Sequence, residues 1–171
     1  MSSVDFFDMA NRQISCKSVF GLCDEEDGTP AYIDEHIENQ AGKWIAEVRN
    51  SESIEIAFHP IDHCLELLRD DGSMAKRCEG VLSYSDLLNI VFVELKDRKL
   101  KPDRWLDDAI GQIEETLSFF YQNHEKETFS KIRVWISNKQ LTNQNYFQRI
   151  KDFRTKHKLV LYICKALELP I

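Results

Sequence analysis

Apolar residues recur along this chain with two periods, one that suits strands and one that suits helices. Residues 91–96 run Val-Phe-Val-Glu-Leu-Lys, so the polar end of an apolar stretch carries Glu94 and Lys96 two positions apart. Alternate residues of a strand share a face, and a strand over 89–96 therefore points this carboxylate and this ammonium the same way. Residues 76–82, Lys-Arg-Cys-Glu-Gly-Val-Leu, predict a second strand, and turn-forming residues over 83–89 predict an antiparallel hairpin that brings Glu79 beside Glu94. Shorter alternations predict strands over 53–58, ended by Pro60, over 132–136, stopped at Ser137-Asn138, and over 159–163.

Helical spacing appears in four segments. Ile37, Ala41, Trp44, Ile45 and Val48 predict a helix over 35–48, and Ile61, Cys64, Leu65 and Leu68 a short one over 61–69 opening after Pro60. The longest spans 104–122, with Asp103 as N-cap and a stripe that includes Trp105, Ala109, Ile113, Leu117 and Phe120. The last spans 143–156, burying Tyr146, Phe147, Ile150 and Phe153 and turning its basic residues outward. Residues 1–21 predict an edge element packed through Phe6 and Phe7. Residues 23–30 read as a turn that lacks the alternating ligands and closing Glu of a calcium loop. Helices and strands interleave without repeats or linkers, which predicts an α/β (α+β) fold in which helices flank a central mixed sheet. The chain is expected to form one domain, 1–171, with an N-terminal extension of about residues 1–30.

At 171 residues the chain is long enough to bury a core unaided. No apolar stretch approaches the ~20 residues of a membrane span, and Asp5 and Asp8 sit where a signal peptide would be basic and apolar. The expectation is a soluble cytoplasmic protein with no membrane association. Five cysteines, Cys16, Cys23, Cys64, Cys78 and Cys164, are an odd number at scattered spacings and predict free thiols in a reducing compartment. Six residues separate Cys16 from Cys23 and no Cys or His pair follows, which argues against a zinc site.

The net charge of -7 argues against a nucleic-acid partner until it is divided along the chain. Residues 1–80 carry 7 Lys+Arg against 17 Asp+Glu, a balance of -10, and residues 81–171 carry 15 against 12, a balance of +3. Two basic stretches stand out in the second half: Lys96, Arg98, Lys99, Lys101 and Arg104, and then Arg149, Lys151, Arg154, Lys156 and Lys158. Either stretch could neutralise phosphates, or simply be a solvated surface. Two adjacent carboxylates hold a hard divalent cation through oxygen, and a nearby Lys orients water or offsets charge on a phosphoryl oxygen. Glu79, Glu94 and Lys96 supply that set. His59 and His63 flank the short segment after Pro60 and could act as base or ligand, or as hydrogen-bonded, partly buried side chains. Ser83, Ser85 and the cysteines show no nucleophile-base arrangement.

The order carboxylate strand, Glu-x-Lys strand, long helix, strand resembles the PD-(D/E)xK phosphodiesterase superfamily over about residues 54–136. The family pattern reads here as Lys76-Arg77-Cys78-Glu79-Gly80 and Phe92-Val93-Glu94-Leu95-Lys96, with Gln112 on the helix where several nuclease branches carry a Gln. Those branches often place Tyr four residues later, and this chain has Thr116; the first acid is usually Asp, and this chain has Glu79. The resemblance implies a restriction-endonuclease-like αβββαβ core. It also implies Mg²⁺ or Mn²⁺ on Glu79 and Glu94, a water-positioning role for Lys96, and Gln112 beside them. Some branches add a helix carboxylate, for which Glu35, Glu38, Asp62 and Glu66 are candidates. Two functions follow as expectations. One is a metal-dependent nuclease acting on DNA or RNA. The other is a non-catalytic binding or accessory subunit of a nucleic-acid-processing or defence assembly, with a protein partner or a second copy of itself at the acidic N-terminal half.

Overall fold

Residues 3–171 are described by a computed structural model, so the first two residues of the N-terminal extension lie outside the described residues. In chain order the elements are β1 (Gln13–Ser15), β2 (Val19–Cys23), β3 (Tyr32–Asp34), β4 (Ala46–Arg49), β5 (Ile56–Pro60), β6 (Gly80–Tyr84) and β7 (Asn89–Lys96). They continue with α1 (Arg104–Asn123), β8 (Lys131–Asn138), α2 (Phe147–His157), β9 (Val160–Ile163) and β10 (Ala166–Glu168). The fold is mixed α/β, with two mixed sheets and two helices.

The central sheet has the order β1-β5-β6-β7-β8-β9. From β1 to β7 neighbours are antiparallel, and β6 and β7 form the expected hairpin, with Gly80 opposite Val93 and Tyr84 opposite Asn89. Past β7 the sheet becomes parallel, because α1 carries the chain back to start β8 beside Asn89 and α2 does the same for β9. A four-stranded sheet, β10-β4-β2-β3, packs on one face of the first.

Strand alternation divides the core in two. Val81, Ile90, Phe92, Val134 and Ile136 point to the helices and pack with Leu106, Ile113 and Phe120 of α1 and Phe153 of α2. Leu82, Val91, Val93, Leu95 and Trp135 point the other way, against Phe20, Leu22, Val48 and Leu167 of the smaller sheet. Helices therefore flank the central sheet on one face only, and a β-layer covers the other.

That β-layer replaces the helix expected over residues 35–48. Asp34 explains why: its carboxylate accepts the His36 backbone N–H at 3.0 Å, the Asn39 side chain at 2.8 Å and the Trp44 indole N–H at 3.1 Å, which curls the chain through a single 3₁₀ turn, Ile37–Asn39. Trp44 then lies over Gly21, where a Cβ would sit 2.1 Å from the ring. Ile37, counted on for the helical stripe, is exposed.

The helix expected over 61–69 is also absent. Cys64 and Leu65 both donate to the Ile61 carbonyl, but His63 adopts a left-handed backbone (φ 61), and the turn goes no further. A tight turn closed by the Leu68–Met74 bridge follows. Residues 76–79 are not yet strand, because side chains of α1 take their backbone hydrogen bonds. Lys76 N donates to Glu115 Oε2 at 3.0 Å, the Arg77 carbonyl accepts from Gln112 Nε2 at 2.9 Å, and Cys78 N donates to Thr116 Oγ1 at 2.8 Å. Smaller differences concern ends: Asp103 stands at the N-cap position of α1 without a side-chain cap bond, α2 begins only at Phe147, which is exposed, and β8 runs on through Asn138.

Candidate functional site

Glu94 and Lys96 share the helix-facing side of β7, and their side chains meet, Lys96 Nζ lying 2.7 Å from Glu94 Oε1. Gln112 of α1 accepts a hydrogen bond from the same ammonium through Oε1, while its amide nitrogen holds the Arg77 carbonyl. One helix side chain thus links the Glu-x-Lys strand to the segment that delivers Glu79. Glu79 stands one position before β6, next in register to Glu94. The following Gly80 is dictated by space, since a Cβ there would fall 2.5 Å from the Phe58 ring and 2.7 Å from the His59 carbonyl.

Both glutamates are buried, Glu94 at 0 % exposure and Glu79 at 6 %. The Glu94 carboxylate has the Lys96 ammonium 2.7 Å from Oε1 and the Glu79 backbone N–H close by, and both favour its charged form. Burial pushes the Glu94 carboxyl up to about 7, against the pull of the Lys96 ammonium. Burial pushes Glu79 further, to about 9, helped by the charges of Glu94, Asp24 and Asp62 and opposed by Lys96.

Two further carboxylates therefore belong here. Asp62, one of four unranked candidates, pairs with Arg77 at 2.9 Å and with His63 at 3.1 Å. The other three do not join it: Glu35 accepts from Ser15, Glu38 lies exposed beside His36, and Glu66 is exposed and forms no ion pair among the described residues. Asp24 comes from the β2–β3 loop, a segment read from sequence as no more than a turn. Burial first, and then the charges of Glu26 and Asp62, raise its pKa, while the Glu26 backbone N–H opposes them. Its signal in the sequence was only a run of acids, which gave no hint that the smaller sheet would carry it to Glu79.

Lys96 and Arg98 border two cavities of opposite character. The smaller, about 360 Å³, is lined by Asp24, Glu26, Glu79 and His63 as well as these two cations. The larger, about 820 Å³, has seven cationic side chains in its lining against two carboxylates, Asp62 and Asp108. All five residues of the first basic stretch line the larger cavity. Asn138 fixes the start of that stretch, its side chain accepting from the Arg98 N–H at 3.2 Å and donating to the Arg98 carbonyl at 3.0 Å. Of the second stretch, Arg149 pairs with Asp107 and Lys156 with Glu114 on α1, while Lys151, Arg154 and Lys158 are exposed without an ion pair among the described residues. His59 lies apart, buried, bonded to Ser83 at 2.9 Å and held below its usual pKa, at about 4, by burial. The cysteines are free thiols.

A hard divalent ion is tested by charge and by donor count. The charges of Glu94, Asp24 and Asp62 raise the proton affinity of Glu79 beside the fully buried Glu94, and a dication would offset that crowding of negative charge. Among the described residues no three His, Cys, Asp or Glu side chains are gathered tightly enough to enclose an ion. Mg²⁺ asks for less than that, because it keeps several waters and uses one or two carboxylates plus substrate phosphate. No helix among the described residues is long and apolar enough to cross a membrane. Compared with protein-family models, with curated proteins and with solved structures, the chain finds no match in any of the three.

Proposed function

We propose that this chain is a metal-dependent nuclease with a restriction-endonuclease-like core, hydrolysing phosphodiester bonds of DNA or RNA. The observation that carries the proposal is the joining of Glu94, Lys96 and Gln112 beside Glu79 at the seam between an acidic and a basic cavity. Three antiparallel strands, a helix and a parallel strand, β5 to β8, supply the order that such a core requires after its first helix. Departures are the four-stranded sheet on the face that such a helix would cover, and Glu in place of Asp at position 79.

Glu79 and Glu94 would hold Mg²⁺ or Mn²⁺. Bound there, the ion would make a water acidic enough to attack phosphorus and would offset charge on a phosphoryl oxygen. The chain's own part is orientation. Glu94 and Gln112 grip Lys96 from two sides, so its ammonium reaches the cavity seam in one pose, ready to meet a phosphoryl oxygen without reorganising. Lys99, Lys101 and Arg104 would receive neighbouring phosphates.

A non-catalytic binding subunit on the same fold is the second reading, and the complete burial of Glu94 favours it. A cleavage assay on DNA and RNA with Mg²⁺ or Mn²⁺ separates the two. The nuclease reading expects cleavage by the natural chain and a loss on the order of 10²–10³-fold or more in Glu94→Ala and in Lys96→Ala, with the cooperative unfolding transition retained. Binding without cleavage, unchanged by Glu94→Ala, would establish the accessory reading.

A further inference from the structure

Two histidines stand four residues apart around Pro60, and folding gives them opposite settings. His59 is 3 % exposed and bonded to Ser83, out of reach of a ligand. The His63 side chain is 42 % exposed and lines the smaller cavity together with Glu79 and Lys96. Its backbone stands in the left-handed region (φ 61), which few residues other than glycine adopt, and the turn that begins at Ile61 stops there. Strain of this kind persists only where the surroundings hold it, and it gathers at functional sites. The turn is held: Ile61 N donates to the Glu79 carbonyl at 2.9 Å, and Cys64 and Leu65 donate back to the Ile61 carbonyl. His63 is thereby carried on a loop fastened to the backbone of Glu79 itself.

Asp62 orients the ring. Its Oδ2 lies 3.1 Å from His63 Nε2, while Arg77 Nη2 holds its Oδ1 at 2.9 Å, so the carboxylate that positions the imidazole is itself pinned. A carboxylate on one ring nitrogen leaves the other, Nδ1, for a ligand. The rest of the cavity lining is occupied. Arg98 is paired with Glu26 at 2.8 Å, Asp24 accepts the Glu26 backbone N–H at 3.0 Å, Lys96 is gripped by Glu94 and Gln112, and Glu79 would hold the ion. His63 is the group left to move a proton. Phosphodiester hydrolysis needs one, because a sugar oxygen departs as a strongly basic alkoxide unless it is protonated as its bond to phosphorus breaks.

We infer that His63 is the proton donor of this site, a catalytic residue positioned by Asp62. Water adds to phosphorus beside Lys96 and gives up a proton to solvent. The bond from phosphorus to the leaving sugar oxygen breaks, its electron pair stays on that oxygen, and the proton on Nδ1 of the doubly protonated His63 ring joins it. Solvent then returns a proton to Nδ1. This inference rests on the nuclease reading and adds to it a group whose part neither the metal nor Lys96 plays.

The test uses the full chain with Mn²⁺ and whichever of DNA or RNA it cuts. The ends of the products identify the leaving oxygen, and the same oligonucleotide is remade with sulfur in place of that atom, since a thiolate departs without a proton. The variant is His63→Asn, because Asn accepts the left-handed backbone. It should cut the all-oxygen oligonucleotide about 100-fold or more slowly than the natural chain does, and the sulfur-substituted one within about 3-fold of the natural chain. Equal losses on the two substrates, or none on the first, would overturn the inference and leave the nuclease reading standing. No cleavage by the natural chain would end both. Metal binding gives a readout independent of turnover, taken from thermal unfolding with and without Mn²⁺. His63→Asn should keep a cooperative transition and the natural chain's Mn²⁺-induced rise in melting temperature to within about 1 °C. Loss of that rise would make His63 a metal ligand and refute its assignment as the proton donor.

Discussion

Two basic stretches of similar composition meet α1 on different sides, and the helix answers them differently. Arg149 and Lys156 of α2 reach Asp107 and Glu114, so their charges are answered within the fold. On the other side α1 presents Gln112, a neutral amide, to Lys96, and Asp108 to a cavity in which cations outnumber carboxylates seven to two. The helix thus supplies counter-charge to two cations of the second stretch and to none of the first, whose Lys96 and Arg98 pair with Glu94 and Glu26; three cations of each stretch form no ion pair among the described residues, and those of the first line one cavity. Charge density along a sequence therefore says little about binding. What matters is whether folding supplies the counter-charge, because an unanswered cation keeps its attraction for an outside anion and an answered one has largely spent it.

The carboxylates sharpen this contrast, and the largest expected effect lies with Glu79. Burial and the charges of Glu94, Asp24 and Asp62 lift its pKa to about 9, above the value near 4.5 of an unfolded chain. A raised carboxyl pKa means that the unfolded state loses the proton first, so the contribution of Glu79 to stability is most favourable below about pH 4.5 and falls as pH rises toward 9. Glu79→Gln removes that liability. It should raise the melting temperature of the metal-free protein at pH 8 by several degrees while lowering metal-dependent cleavage by about 10²-fold or more. Added Mn²⁺ should stabilise the natural chain, more at pH 8 than at pH 6, and should do little for Glu79→Gln. Thermal unfolding at the two pH values reads all of this. A variant no more stable than the natural chain at pH 8 would mean that Glu79 is not held in a strained, charge-rich setting.

A smaller effect separates the two stretches directly. Removing one cation that neutralises a phosphate of a bound single strand flattens the plot of log affinity against log salt by about 0.7. Lys99→Gln with Lys101→Gln should reduce the slope by about 1.4, twice that amount, and Arg149→Gln with Lys156→Gln, the two cations paired on α1, should leave it unchanged. A slope that shifts with the second pair would show that α2 also faces the nucleic acid, and the contrast across α1 would collapse.

Much of this was legible in the sequence, for identifiable reasons. The hairpin, α1 and β8 each show one clean period, and the Glu94–Lys96 pairing follows from strand alternation alone. Gln112 was also in view, although its double grip on Lys96 and the Arg77 carbonyl was not. The second sheet was hidden because Trp44, Ile45 and Val48 satisfy a helical stripe as well as a strand's. The deciding interactions, Asp34 with Trp44 and Trp44 over Gly21, join residues whose proximity no local window reveals. Asp24 was hidden for the same reason, since a loop's neighbours across the molecule depend on where its sheet packs. The difference between the two basic stretches is likewise tertiary, written in the side of α1 that each one meets.

The weakest expected effect is on the answered side. Burial favours the neutral form of Glu114, but hydrogen bonds from Lys156 and His157, at 2.8 and 2.7 Å, outweigh it and hold the carboxyl below its usual value. A lowered carboxyl pKa stabilises the fold above about pH 4.5, and that contribution is lost as pH falls through the lower, folded value. The sign is opposite to that of Glu79 on the other flank of the same region. Because Lys156 is 66 % exposed and Glu114 about a third, solvent screens the pair, and Glu114→Gln should cost no more than about 0.5–1 kcal/mol at pH 7. That corresponds to roughly 1–4 °C in melting temperature for a chain of this size. The penalty should shrink as pH falls through the lowered value of this carboxyl, and nucleic-acid affinity should not change at any pH. A Glu114→Gln variant that bound nucleic acid more tightly would mean that freeing Lys156 creates a phosphate contact, so that the two stretches differ only by their counter-charges and not by their placement.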